Sequence, residues 1–149
     1  METAGHGVHT NESKEIAAMG NELKTTRVRG SVAEATFLLH QLLADRGIEV
    51  LASIDHAAGA RRAGLELDDE VVVFFGDPAV GTGALQDDPR AGIDLPLRMV
   101  FWNDQGTTYA AYRDPQGLAD DFDLVDHSAV PAKLSAFMTR LASDLRAGR

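Results

Sequence analysis

Apolar residues recur along this chain with two periods, and the points where one gives way to the other mark out its elements. Val32, Ala35, Leu38, Leu39, Leu42 and Leu43 keep the three-and-four spacing of one helical face. Ahead of them Ser31 and Glu34 form an S-x-x-E capping box, in which hydroxyl and carboxylate each satisfy a backbone donor that the first helical turn leaves orphaned. Gly47 stands where a left-handed residue ends such a helix. A second stripe, Leu134, Phe137, Met138, Leu141 and Leu145, runs near the end of the chain with Pro131 at its start. That stripe needs a sheet or another helix to cover it.

Between the stripes the period shortens to two. Residues 23–29 (LKTTRVR), 48–54 (IEVLASI), 97–103 (LRMVFWN) and 107–112 (TTYAAY) predict strands, and Asp104-Gln105-Gly106 predicts a tight hairpin joining the last two. Residues 71–75 (VVVFF) are apolar without alternation and are stopped by Gly76 and Pro78, which predicts a buried central strand. Asp55 is placed to cap a short alanine-rich helix that Gly64 closes, and residues 117–125 predict a turn of helix and a loop. The order is strand, helix, strand, short helix, three strands, helix. Late hairpins argue against a doubly wound parallel sheet. The expected fold is α+β, a single domain over residues 23–149 with helices packed on one face of a largely antiparallel, curved sheet. Residues 1–22 show no sustained period and are expected to be a mobile extension whose deletion leaves the fold intact.

One connection breaks the rhythm. Residues 77–96 are rich in Gly, Pro and Asp, and an unstructured stretch of roughly 20 residues is either functional or conceals a small element. Gly76 and Gly81 have the glycine spacing of a phosphate loop, but Thr82 and Gly83 stand where Lys and Ser or Thr would meet the phosphates and magnesium. The dinucleotide fingerprint fails too, because Gln86 occupies its last glycine position.

Composition narrows the function classes. The chain of 149 residues has no cysteine, so thiol nucleophiles, thiolate metal sites and disulfides are excluded. A formal net charge of -9 with no segregated basic patch opposes nucleic-acid binding. No apolar run approaches the about 20 residues needed to cross a bilayer, and the N-terminus lacks the pattern of a secretory signal; a soluble cytoplasmic protein without membrane contact is expected. His6 and His9 lack a third ligand, and no metal site is expected. Asp55-His56 has the composition of an acid–base pair, although neighbouring side chains seldom face each other and a capping aspartate explains the dipeptide. Asp94, beside Leu95-Pro96, is either a turn former or a carboxylate delivered to a pocket. No nucleophile with an evident base can be assembled from spacing, and no cofactor is expected.

Several of these residues fall into a recognisable set. Ile54-Asp55-His56-Ala57-Ala58-Gly59-Ala60, Ala63-Gly64-Leu65, Phe75-Gly76-Asp77-Pro78, Gly81-Thr82 and Asp94-Leu95-Pro96-Leu97 together resemble the family called domain of unknown function 302. Tyr112, Asp114, Pro115 and Leu118 resemble its closing segment, so the likeness spans roughly residues 23–123. The resemblance implies a β-α-β-β-β-β-α order like that of the TATA-binding-protein group, and implies no established activity, catalytic residue or cofactor. DNA binding does not follow from the name of a fold. Two functions are then expected in competition. One is small-molecule binding in a pocket between the sheet, the terminal helix and the 77–96 connection, reached by His56, Gly81, Thr82, Asp94 and Tyr112. The other is a homodimeric structural or interaction module in which the same connection is a packing device. A cavity lined by His56, Asp94 or Tyr112 favours the first, and a filled interior with an apolar exposed surface favours the second.

Overall fold

The computed structural model describes residues 22–149. Residues 1–21 of the expected extension, with His6 and His9, lie outside the described residues.

The first helix forms as its local chemistry requires. After strand β1 (Leu23–Val28), helix α1 (Val32–Asp45) starts at Ser31, whose hydroxyl accepts from the Glu34 N–H at 3.0 Å while the Glu34 carboxylate accepts from the Ser31 N–H at 2.9 Å. Gly47 has φ +69° and turns the chain into β2 (Glu49–Asp55). Helix α2 (His56–Arg62) links β2 to β3 (Glu70–Gly76). The 77–96 connection is not a loop: it holds helix α3 (Pro78–Asp87) and a short 3₁₀ turn (Pro89–Ile93). Strands β4 (Leu97–Asp104) and β5 (Thr107–Arg113) form a hairpin whose turn residues Gln105 and Gly106 both have positive φ, the condition for a two-residue turn matched to strand twist. A 3₁₀ turn (Pro115–Gly117), the short helix α4 (Leu118–Asp121) and the long helix α5 (Val130–Ala147) complete the chain.

The five strands make one sheet in the order β1-β5-β4-β3-β2, every neighbouring pair antiparallel. The apolar run at residues 71–75 therefore lies in an interior strand, but the middle of the sheet is β4. Successive side chains point to opposite faces, so Val73 and Phe75 of β3, Met99 and Phe101 of β4, and Ala110 and Tyr112 of β5 share one face. That face is buried under Leu39, Leu43, Met138, Leu141 and Leu145 of α1 and α5. Both predicted stripes find their cover here. Arg46, at the end of α1, reaches Asp144 of α5 at 2.8 Å and ties the two helices together. The opposite face carries Trp102 stacked on Tyr109 at 5.6 Å and Phe74 beneath the Arg98 guanidinium at 5.1 Å.

Candidate functional site

The 77–96 segment meets the sheet and α5 at an apolar groove. Asp77 starts α3 by accepting the Ala79 N–H at 3.0 Å, and Pro78 fills the first helical position, where a missing N–H is harmless. The face of α3 bearing Val80, Gly81, Thr82 and Leu85 then forms one wall. Lys133, Leu134 and Phe137 of α5 form another, Ile48 and Leu51 approach from the start of β2, and Gly76 and Leu97 lie where β3 and β4 adjoin. Phe137 is fixed by an edge-on contact with Phe75, their ring centroids 6.5 Å apart. The groove has a volume of about 390 Å³, within the range of small-molecule sites. Apolar side chains dominate its surface. Asp77 and Lys133 bring its only side-chain charges among the described residues.

A second, smaller cavity of about 210 Å³ lies at the same end of the sheet. It is lined by Asp94, Arg98, Arg113 and Asp114 together with Leu97, Pro115, Gly117 and Leu118. Asp114 is already engaged by the Gln116 N–H and the Ser135 hydroxyl, and Arg98 donates to the Ile93 carbonyl at 3.2 Å.

The candidate residues named from sequence are dispersed. Gly81 and Thr82 line the groove, but within α3 and not at a tight turn, and Gly81 is not among the residues with positive φ. His56 is exposed at the first position of α2, and the Asp55 carboxylate accepts the Ala58 N–H at 2.9 Å, which is the capping geometry. Asp94 ends the 3₁₀ turn and lines the smaller cavity. Tyr112 is buried in the core face of β5.

Sequence spacing missed a carboxylate latch behind α3. Asp87 accepts from the His127 backbone N–H at 2.7 Å and lies 3.0 Å from the ring Nδ1. Burial pushes the Asp87 carboxyl up, yet the His127 side-chain and backbone hydrogen bonds and its charge, with a bond from the Asp126 backbone, leave it below its ordinary value. Next to it, Asp88 holds the Arg90 guanidinium at 2.7 and 3.0 Å and accepts the Asp123 N–H at 3.0 Å. The Arg90 bonds and the Asp123 N–H keep the Asp88 carboxyl far below the usual carboxylate range, against its burial. The Asp-x-Arg spacing was visible locally; Asp87 and His127 are 40 positions apart and carry no sequence signal. Among the described residues no group of three His, Cys, Asp or Glu is arranged to hold a metal.

An antiparallel five-stranded sheet backed by two long helices defines a single-domain α+β protein. The chain belongs to the family described as domain of unknown function DUF302, which matches residues 24–141. A crystal structure described as an uncharacterized conserved protein DUF302 from Bacillus stearothermophilus superposes with a TM-score of 0.73 at 20% identity, covering 83% of this chain and 98% of that one. Sequence relatives include proteins named fluoride-specific ion channel FluC 1 from Brucella suis biovar 1 (strain 1330) and Brucella abortus biovar 1 (strain 9-941). Each is 35% identical over 127 residues, 85% of this chain. The chain spans about half the length of these relatives, 50% and 47%. Among its described residues no helix is long and apolar enough to cross a membrane.

Proposed function

We propose that this chain is a binding domain whose groove between α3, α5 and the β3–β4 end of the sheet takes a small, largely apolar ligand. The observation that carries the reading is the groove itself, with a volume of about 390 Å³ and walls of Ile48, Leu51, Val80, Leu85, Leu134 and Phe137. Apolar walls supply affinity by releasing water, and a few polar groups set orientation. The Asp77 carboxylate in its lining already caps α3, and the apolar walls support a reading as a binder.

A thermal-shift screen of apolar metabolites tests it, paired with Thr82→Trp to fill the groove from its exposed wall. A ligand should raise the melting temperature of the wild type and not that of the variant, whose own midpoint stays near the wild-type value. A screen without hits, or a hit that stabilises both proteins equally, removes the reading.

Two observations favour a second reading as an interaction module. The sheet face bearing Trp102, Tyr109 and Phe74 also carries Ile54, which is 46% exposed, and such a face suits pairing with a second copy. Domains of this kind also make up about half of the Brucella proteins named as fluoride-specific channels. Because the matching domain has no membrane-crossing helix among its described residues, we assign fluoride conduction to the other half of those relatives. The present chain then acts beside a transport protein. Light scattering that returns a monomer mass near 16.0 kDa at all concentrations would remove the homodimer. Brucella suis protein lacking the matched half should still pass fluoride across liposomes, and loss of flux would overturn the assignment.

A further inference from the structure

We infer that the ligand of the groove is an apolar carboxylic acid, its tail along Leu134 and Phe137 and its carboxylate at Lys133; this rests on the groove being a binding site. The groove has two ionic side chains, and they are not equivalent. Asp77 is committed to α3, its Oδ1 accepting the Ala79 N–H. Lys133 makes no ion pair among the described residues. It also stands near the start of α5, the end of a helix where a cation is disfavoured and an anion favoured. The start of α5 supplies no offset of its own: Ala129 at the N-cap makes no side-chain cap bond, and the first turn holds no acidic residue. A carboxylate beside Lys133 would neutralise the ammonium and so relieve its unfavourable place in the first turns of α5. The apolar remainder of the groove has no donor set for a sugar or a nucleotide, whereas an unbranched or aromatic tail fits it.

The experiment uses the full chain at neutral pH with the uncharged dye Nile red as reporter. Decanoate and decanol, the same tail with and without a charge, compete for it. Decanoate should displace the dye at a concentration about tenfold below that of decanol, the factor expected of one charge-assisted contact. Lys133→Gln should remove that preference while dye and decanol bind as before, and Lys133→Arg should restore most of it. Equal potency of decanoate and decanol on the wild type, or an unchanged ratio in Lys133→Gln, overturns the acid assignment and leaves the groove reading standing. Failure of Nile red, decanol and decanoate alike to bind overturns both.

Discussion

Two glycines of α3, two residues apart, show how much a single Cβ decides. Gly81 faces open space, and a methyl group built on it meets nothing within 4 Å. Its helical backbone needs no glycine, so Gly81→Ala should stabilise the protein by about 0.5–1 kcal/mol through the helix propensity gained. Gly83 is buried, and its Cβ would lie 2.6 Å from Cδ2 of the His127 ring. That ring is held by Asp87, so Gly83→Ala must displace it or the helix and should cost about 1–3 kcal/mol. Urea melts of the two variants check the opposite signs. Local chemistry was legible at this scale wherever a residue acts on its near neighbours: the Ser31–Glu34 box, the Asp55 cap and the turns at Gly47 and Gly64 all follow from spacing. Gly81 carried no such signal, because glycine in a turn and glycine tolerated on the open side of a helix look the same in one sequence. His127 was invisible for the complementary reason, since its partner is distant along the chain.

Helix α3 exists against its own composition. Two of its ten residues are glycine, each less favourable in a helix than alanine by about 1 kcal/mol, so propensity predicts the loop that the pattern suggested. Tertiary contacts reverse the balance. Ala84 is fully buried with Leu118, Leu124 and Val130, and the Asp87 and Asp88 carboxylates fasten the segment before α5 to the end of α3. Both carboxyls titrate below their ordinary range in the folded chain. A carboxyl depressed by folding binds its proton more readily when unfolded, so its stabilisation is complete above the unfolded value, about pH 3.9, and is lost as pH falls through the folded one. The latch should therefore weaken below about pH 4, with the Asp88 share persisting to much stronger acid than the Asp87 share. Asp88→Asn should flatten the acid limb of the stability curve and lower stability at neutral pH, both measurable by denaturant melts across pH. A variant whose acid limb matches the wild type would remove Asp88 from the latch. The groove inherits this dependence, because the far side of the same helix is its wall.

At the scale of the whole molecule, element order and the pairing of β4 with β5 were legible from period and turn chemistry. The place of each strand in the sheet was not, since it depends on contacts between distant segments. Consecutive strands β1 and β2 lie at opposite edges, and β1 bonds only to β5, Leu23 facing Arg113. During synthesis, then, the first strand made has no backbone partner until the last one has emerged. Even the completed sheet leaves its core face bare until Met138, Leu141 and Leu145 of α5 arrive. Such long-range closure slows folding and leaves no half of the domain able to stand alone. Unfolding followed through Trp102, the sole tryptophan, should coincide with loss of backbone circular dichroism in one transition, and two separated transitions would contradict it. Helix α5 thus acts as a completion signal: a chain cut short before it leaves part of the core face of its strands open to water.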